Sequence, residues 1–195
     1  MFIHKIDDEL SLKVLEEKDA EKLFALTDRS RDYLKKWLPW LDFTRNVEDS
    51  REFIRTGLQG FADNRSLTTA ILYKEQMAGT AGFHHFDWTH RTTSMGYWLG
   101  QEFQGKGIMT RVAGALTQYA FGELGLNRVE IRAAYGNRKS RAIPERLGFM
   151  EEGRIRQAEW LYDHYVDHAV YGMLAEDWKQ RERTAARVRN ETAGQ

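Results

Sequence analysis

Hydrophobic and polar residues alternate along several short segments of this chain, and this alternation is the strand signal in the sequence. Residues 10–14 and 129–133 show it most clearly, with an apolar side chain at every second position. Residues 67–72 and 77–83 flank a polar turn and predict a hairpin. With the continuously apolar run 95–99, the strand-like segments are 10–14, 67–72, 77–83, 95–99, 129–133, 149–156 and 165–174.

A longer period, with apolar residues three or four positions apart, predicts helices between these strands. The predicted helices cover residues 19–27, 30–37, 47–63, 109–124 and 137–147. Asn46 and Asn137 stand where N-caps are expected, Pro39 interrupts the second helix, and Gly148 supplies a C-terminal stop. From residue 175 onward the chain is charged and nearly free of large apolar residues, which predicts a short helix that frays into a disordered tail.

The elements follow each other as strand, helices, three strands, helix, strand, helix and two strands. This order is typical of a mixed α/β sheet within one domain. A chain of 195 residues can bury one sizeable core and would be cramped as two domains. No internal repeat or linker interrupts the pattern, so we expect one domain.

Composition and charge narrow the function classes. Lys plus Arg and Asp plus Glu number 29 each, so the formal net charge is zero and direct nucleic-acid binding, which favours a basic excess, is not indicated. The absence of cysteine excludes disulfides and thiolate metal sites and is compatible with a reducing cytoplasm. No secretory signal begins the chain and no apolar run approaches membrane-spanning length, so we expect a cytoplasmic protein that does not bind membranes.

The segment Gln104–Thr110 contains two glycines between the apolar run 95–99 and the helix that follows. Glycine permits unusual dihedral angles and close approach of a ligand, while a helix N-terminus presents unpaired N–H groups and partial positive charge. The sequence therefore predicts that this loop binds a pyrophosphate.

Two well-known phosphate-binding motifs fit this loop poorly. Gly100-x4-Gly105-Lys106 approaches the nucleotide P-loop, but Gly107 stands where that motif needs a Ser or Thr hydroxyl for Mg²⁺. The dinucleotide fingerprint would begin at Gly105, but Thr110 takes the place of its third glycine, and the acidic residue expected about 20 positions further on is missing. Both interpretations are therefore disfavoured.

A third motif fits better. Gln104-x-x-Gly107 resembles motif A, [RQ]-x-x-G-x-[GA], of the GNAT superfamily of acyl-CoA-dependent N-acetyltransferases, with Met109 in place of the last small residue. Asn137-x-x-Ser140, followed by Glu145-Arg146-Leu147-Gly148-Phe149, resembles the next motif of that family. Within that family, the chain resembles the RimJ/RimL-type branch, which includes enzymes that acetylate the N-terminal α-amine of ribosomal proteins. The matching segments are Trp37–Trp40, Tyr97–Leu99, Gln104–Gly107, Asn137–Ser140, Gly153 and Gln157–Glu159.

The resemblance implies a fold and a cosubstrate. The fold would be an α/β single-domain GNAT fold, with a mixed, mostly antiparallel twisted sheet flanked by helices and a splayed central strand pair. The domain would cover residues 8–178, with 179–195 as a charged C-terminal tail. Acetyl-CoA would be the cosubstrate, with pantetheine along the splayed strand and the pyrophosphate on the glycine loop. The implied cofactor-binding residues are Tyr97, Trp98, Leu99, Gln104, Gly105, Lys106, Gly107, Ile108, Met109, Thr110, Asn137 and Ser140.

The resemblance also implies which residues move protons. Many family members protonate the leaving thiolate with a tyrosine in the helix after the Asn motif. Here that position is Pro144, so the resemblance implies Ser140 as the general acid. Glu159 is the implied base. Each also has a plain structural interpretation, Ser140 as a first-turn helix residue and Glu159 as a surface glutamate. Deprotonating an α-amine at pH 7 costs about 1 kcal/mol and a lysine about 4.6 kcal/mol, so a glutamate suits an N-terminus better.

The acceptor side is expected to contain several aromatic residues. The expected substrate-binding residues are Trp37, Trp40, His85 and Trp160. The aromatic segment 37–43 forms either a plug in the core or a wall of the cleft, and no His or carboxylate spacing fits a metal site. The leading hypothesis is acetylation of a protein N-terminus, and the resemblance is compatible with a homodimer. The alternatives are a small amine as acceptor (polyamine, amino sugar or antibiotic) and, because of Pro144, a non-catalytic acyl-CoA-binding module.

Overall fold

Eight strands form one sheet in the computed structural model, which describes residues 3–193. The strands are β1 Ile3–Lys5, β2 Leu10–Val14, β3 Leu67–Tyr73, β4 Gln76–Asp87, β5 Thr92–Leu99, β6 Arg128–Ala134, β7 Met150–Leu161 and β8 His164–Leu174. The helices are α1 Ala20–Arg29, α2 Arg31–Leu34, α3 Val47–Ala62, α4 Ile108–Gly122, α5 Arg138–Arg146 and α6 Ala175–Ala193.

The strands lie side by side in the order β1-β2-β3-β4-β5-β6-β8-β7. Each neighbouring pair is antiparallel except β5 and β6, which are parallel and are connected by the long helix α4. A parallel pair needs such a crossover because the chain must return to the same end of the sheet. The predicted mixed, mostly antiparallel sheet is confirmed.

Strands β5 and β6 pair over only half of β5. Their register joins Thr92–Met95 to Arg128–Ile131, and beyond Met95 no pairing between the two strands continues. The rest of β5, Gly96–Leu99, pairs with β4 alone, while β6 continues on β8 as far as Ala134. The central strands therefore diverge, as predicted, and leave a gap in the sheet between them.

Helices cover both faces of the sheet. On one face, the buried stripe of α4 packs against β6, where Val129 and Ile131 are fully buried. On the other face, Leu23 of α1 and Ile54 of α3 pack over Ala70 of β3. Each fully buried large apolar side chain of this kind contributes roughly 1.5–3 kcal/mol to stability. The two cores hold the diverging strands in place from opposite sides.

Local sequence signals placed most element ends correctly. The Asn46 side chain accepts hydrogen bonds from the N–H groups of Glu48 and Asp49, at 2.8 and 3.1 Å, and so caps α3 as predicted. Strand β1 was not predicted, because three residues are too few to show a period of two. Helix α6 extends to Ala193, well beyond the short helix predicted from residue 175, and residues 194 and 195 lie outside the described part of the chain.

Among residues 3–193, no helix combines the length and the apolar character that crossing a bilayer would require.

Candidate active site

The gap between β5 and β6 opens into a cleft of ≈ 1810 Å³. Its walls come from the splayed strands, the glycine loop, the start of α5, the aromatic segment 37–44 and the end of the β7–β8 hairpin. Sites for one small ligand typically enclose about 300–1,000 Å³. The cleft therefore has room for two reactants at once.

The glycine loop forms an open cradle at one end of the cleft. Gly105 and Gly107 have φ angles of +75° and +68°, in the left-handed region that favours glycine. A Cβ atom built on either residue would meet nothing within 4 Å, so the space in front of the loop is open. All residues of Gln104–Thr110, for which the sequence predicts pyrophosphate binding, line the cleft.

Helix α4 begins at the end of this loop and directs three N–H groups into the cradle. The first hydrogen bond of the helix runs from the N–H of Arg111 to the carbonyl of Gly107, at 3.2 Å. The N–H groups of Ile108, Met109 and Thr110 precede it and have no partner within the helix. Unpaired N–H groups and the positive end of the helix dipole favour a bound anion.

Strand β5 presents main-chain groups to the gap. The N–H of Gly100 donates to the carbonyl of Ala78 on β4 at 2.8 Å. Main-chain hydrogen bonds of an antiparallel pair alternate along the strand, so Trp98 also bonds towards β4, while the main-chain groups of Tyr97 and Leu99 face away from it. Because β6 has diverged at this point, those groups face the cleft, where an extended ligand can pair with them.

The first turn of α5 forms another part of the cleft wall. The Asn137 side chain accepts a hydrogen bond from the N–H of Ser140 at 3.1 Å and caps the helix. The Tyr97 hydroxyl donates to the carbonyl of Ser140 at 3.4 Å, and burial raises the pKa of Tyr97, so this phenol stays protonated. Asn137 and Ser140 both line the cleft, together with Lys139 and Arg146, which sequence reasoning did not single out.

Lys106 also lies at the glycine loop. Its ammonium group sits 5.6 Å from the centre of the Tyr73 ring and 5.5 Å from that of Phe103. These aromatic faces hold the ammonium group beside the cradle.

A bulge in β7 brings Glu159 to the cleft. Ile155 pairs with His168 and Glu159 with Val166, so β7 has two more residues than β8 between these pairs. Gln157, within the bulge, has a φ of +49°. Bulges change the direction in which the following side chains point, which is how Glu159 comes to face the gap.

The Asp167 carboxylate holds this bulge in place. It accepts hydrogen bonds from the N–H of Gln157 at 2.7 Å and from Nε of Arg154 at 2.6 Å. These two interactions, first the Gln157 N–H and then the Arg154 guanidinium, lower the pKa of Asp167 below its ordinary value. Asp167 is therefore ionised at neutral pH. The sequence gave no signal that Asp167 holds the bulge, because the bulge is visible only in the pairing register of β7 and β8.

Glu159 has a partner on the neighbouring strand. Its Oε2 lies 3.4 Å from Nε2 of His168, and the side chains of Glu159 and His168 are 28% and 17% exposed. Both residues line the cleft. The carboxylate predicted as a base therefore lies inside the site beside an imidazole and is only partly exposed to water.

The aromatic segment forms the far wall of the cleft. Trp37 and Trp40 line it, and the Trp40 ring lies 5.9 Å from that of Trp98 on β5. The Tyr162 hydroxyl, in the β7–β8 turn, donates to the carbonyl of Leu38 at 2.6 Å and ties the two walls together. Leu41 of the same segment is fully buried, so the segment contributes to both the core and the cleft.

Two predicted substrate-binding residues are not in the cleft. His85 does not line it, whereas its neighbour His84 does; both lie in a bulge of β4, where Phe83 pairs with Met95 and Phe86 pairs with Thr93. Trp160 follows Glu159 on β7, points away from the cleft and packs against Tyr165 with ring centres 4.8 Å apart. Both predicted positions are therefore corrected, because neither side chain lines the cleft.

His84 is the histidine that faces the site. Its imidazole lies over Gly96, where an added Cβ atom would come within 2.1 Å of Nε2. Burial lowers the pKa of His84, so its ring is neutral at pH 7. Within the part of the chain that the structure describes, no group of three histidine or acidic side chains is arranged to hold a metal ion.

Comparison with known proteins adds independent information. Residues 9–150 match the family described as acetyltransferase (GNAT) domain. A curated relative, the putative ribosomal N-acetyltransferase YdaF of Bacillus subtilis, is 38% identical over 180 residues, which cover 92% of this chain and 98% of that protein.

Two solved structures resemble the whole fold. The microcin C7 self-immunity acetyltransferase MccE, in complex with acetyl-CoA and AMP, is 33% identical, has a TM-score of 0.83, and matches over 87% of this chain and 94% of its own. RimL, a ribosomal L7/L12 α-N-protein acetyltransferase in complex with coenzyme A, is 25% identical, has a TM-score of 0.87, and matches over 90% of this chain and 99% of its own.

Proposed function

This chain belongs to the acetyltransferase (GNAT) domain family and is an acetyltransferase, and on that premise we propose that it transfers an acetyl group from acetyl-CoA to the N-terminal α-amine of a protein. One observation carries the donor half of the proposal: the β5–β6 gap ends at the open glycine cradle. An extended thioester ending in a pyrophosphate fits such a slot, and MccE and RimL were solved with acetyl-CoA and coenzyme A.

The chain offers matching groups for each part of acetyl-CoA. The N–H groups of Gln104–Thr110 and the Lys106 ammonium suit the pyrophosphate. The main-chain groups of Tyr97 and Leu99 suit the amides of pantetheine. This path places the thioester between β5 and the first turn of α5, where Ser140 lies. No metal ion is needed to bind the phosphates, because N–H groups and a cation already provide positive charge.

The reaction proceeds by direct attack of the amine within a ternary complex. The neutral amine attacks the thioester carbonyl, and a main-chain N–H of the splayed part of β5 stabilises the negative charge on the carbonyl oxygen. Glu159, directly or through one water, accepts the proton that the amine loses. The C–S bond breaks, and the Ser140 hydroxyl protonates or hydrogen-bonds the leaving thiolate. Acetylated amine and free coenzyme A are the products.

An N-terminal α-amine suits this site for an energetic reason. At pH 7 its deprotonation costs about 1 kcal/mol, whereas a lysine side chain costs about 4.6 kcal/mol. A carboxylate such as Glu159, paired with His168 in a partly exposed position, suffices for the smaller cost. The resemblance to RimL, which is named for acetylation of a protein α-amine, also supports this acceptor.

A small-molecule amine is the second candidate acceptor. MccE is a self-immunity acetyltransferase that was solved with AMP beside acetyl-CoA, and it is 33% identical to this chain. Trp37 and Trp40 would provide aromatic surfaces for a planar group in such a compound. This observation favours an amine attached to a nucleotide or a similar ring system over a simple polyamine.

Release of free thiol from acetyl-CoA tests both candidates. The acceptors are peptides with a free N-terminus and no lysine, the same peptides with a blocked N-terminus and one lysine, and small amines that include an amino-acyl adenylate analogue. We expect turnover only with free N-termini, and a loss of about 10²–10⁴ in kcat for Glu159→Gln with unchanged affinity for acetyl-CoA. Glu75→Gln, at the exposed β3–β4 turn, is the matched control. Turnover restricted to small amines would favour the second candidate, and no turnover with any amine would refute both.

A further inference from the structure

We propose that His168 is a positioning residue for Glu159, and that the two side chains act as one unit in deprotonating the acceptor amine. This inference rests on the proposed function, in which Glu159 is the base. The observation behind it is the 3.4 Å contact between Nε2 of His168 and Oε2 of Glu159 inside the cleft. Hydrogen bonds of catalytic groups are often long before substrate binds and shorten in the reacting complex.

The strand that carries Glu159 has a neighbour on one side only. Glu159 comes directly after a two-residue bulge in the edge strand β7, and it pairs with Val166 of β8. His168 lies on β8, inside the sheet, and pairs with Ala134 of β6 on one side and Ile155 of β7 on the other. A side chain from a strand that is paired on both sides therefore holds one carboxylate oxygen, and the other oxygen stays available to the amine.

The charges around His168 allow this role. On the same face of the sheet, β6 contributes Arg132 and Glu130, which bond each other at 2.6 Å. Asp167 precedes His168 but points to the other face, where it holds Arg154 and the bulge. Glu159 of β7 is therefore the carboxylate in direct contact with the His168 ring in the described structure.

The basicity of Glu159 depends on whether the neighbouring His168 ring is neutral or protonated. When the contact between the two side chains shortens in the reacting complex, neutral His168 donates its Nε2–H to Glu159 and leaves the carboxylate basic. Protonated His168 forms a full ion pair, which stabilises the carboxylate anion and makes it a weaker base. The rate should therefore fall more steeply in acid than deprotonation of the amine alone would cause.

A double-mutant cycle with a pH series tests the proposal. The variants are His168→Gln, Glu159→Gln and the double variant, measured for kcat and for the KM of acetyl-CoA with a free N-terminal peptide. We expect His168→Gln to lower kcat about tenfold at about pH 8, with an unchanged KM for acetyl-CoA, and to have almost no further effect when Glu159 is already Gln. The deficit of His168→Gln should shrink as the pH is lowered, because only the unaltered enzyme can form the ion pair with a protonated ring.

His164→Gln is the matched control. His164 lies on the same hairpin, is 59% exposed and contacts Asp163 rather than the cleft. We expect its kcat and its pH profile to equal those of the unaltered enzyme. Additive losses in the double variant, an unchanged kcat for His168→Gln, or a deficit that stays constant with pH would each overturn the proposal.

A measurement without turnover separates this proposal from the proposed function. In an NMR titration, Glu159→Gln should lower the midpoint of the His168 imidazole, because the neighbouring carboxylate that favours the protonated ring is gone. An unshifted midpoint overturns the coupling of the two residues while leaving the acetyltransferase activity intact. Failure of the unaltered protein to cleave acetyl-CoA with any acceptor overturns the proposed function instead.

Discussion

The hydroxyl of Tyr97 donates a hydrogen bond to the carbonyl oxygen of Ser140, across the cleft wall between β5 and α5, at 3.4 Å. In a regular helix this carbonyl would accept the N–H of the residue four positions later. That residue is Pro144, which has no N–H and lies inside α5. Tyr97 therefore supplies the donor that the helix lacks and links the splayed strand to the turn that carries Ser140.

Removal of this hydroxyl should destabilise the protein more when Pro144 is present than when it is replaced. Tyr97→Phe leaves the Ser140 carbonyl unpaired, and we expect the free energy of unfolding in urea to fall by about 1–2 kcal/mol. In the Pro144→Ala background the new N–H of residue 144 can bond that carbonyl, so the same substitution should cost less. Equal losses in both backgrounds would show that the hydroxyl stabilises the protein in another way.

Gly107→Ala should weaken acetyl-CoA binding beyond its effect on stability. An alanine at a φ of +68° costs roughly 1–2 kcal/mol of backbone strain. Its Cβ atom would also project into the open cradle that we assign to the pyrophosphate. Gly125→Ala is the matched control, because Gly125 has a φ of +63° and equally open surroundings but does not line the cleft.

Calorimetry of acetyl-CoA binding and thermal unfolding measure the two effects separately. Both glycine variants should lose similar stability, and only Gly107→Ala should lose affinity for acetyl-CoA. A similar loss of affinity in Gly125→Ala would mean that strain in general, rather than the cradle, controls binding.

Gly96→Ala should disturb the acceptor side and spare the donor side. The new methyl group would displace the His84 imidazole, which lies within 2.1 Å of the Cβ position and can swing into the cleft. Because the ring can move, we expect a stability loss of about 1 kcal/mol or less, at the low end for overpacking. The KM of the acceptor should rise while that of acetyl-CoA stays constant.

The double variant His84→Ala with Gly96→Ala provides the check on this mechanism. It removes the ring that the methyl group would strike, so its stability should equal that of His84→Ala alone. If the double variant is as destabilised as the sum of the two single variants, the strand itself rather than the ring is sensitive to the methyl group.

Local chemistry explains which features the sequence could predict. The glycine loop and the caps at Asn46 and Asn137 depend on residues within a few positions of each other, and these predictions agree with the structure. The face of a strand depends on register instead. A bulge between Phe83 and Phe86 decides that His84 rather than His85 faces the cleft, and no signal in the residues marks it.

The position of Glu159 illustrates the same limit on the other side of the cleft. The resemblance to the family pointed to Glu159, but its contact with His168 depends on a bulge in which a glutamine takes a positive φ. Such a conformation is uncommon for glutamine and is stabilised by Asp167, ten positions away along the chain. The resemblance therefore names Glu159, whose role as a base stays a prediction, and only the fold reveals what holds its side chain.

Asp167→Ala should lower kcat by a factor that does not vary with pH in the working range. The substitution releases the N–H of Gln157 and the Arg154 guanidinium, so the bulge relaxes and Glu159 moves relative to the thioester. Misplacement of a reacting group by about 1 Å can cost up to about 10²-fold in rate. The KM of acetyl-CoA should not change, and Asp163→Ala, at the exposed turn of the same hairpin, is the control.

The sign of the pKa shift of Asp167 predicts its pH behaviour. In the folded protein the pKa of Asp167 lies below the ordinary value of 3.8. The stabilisation that its carboxylate provides is therefore complete above pH 3.8, and it is lost only as the pH falls through the lowered pKa of the folded state. Between about pH 6 and 8 the carboxylate is always ionised, and kcat of Asp167→Ala should remain a constant fraction of the unaltered rate. A pH-dependent deficit in Asp167→Ala would contradict the purely structural role, because no proton on Asp167 exchanges in that interval.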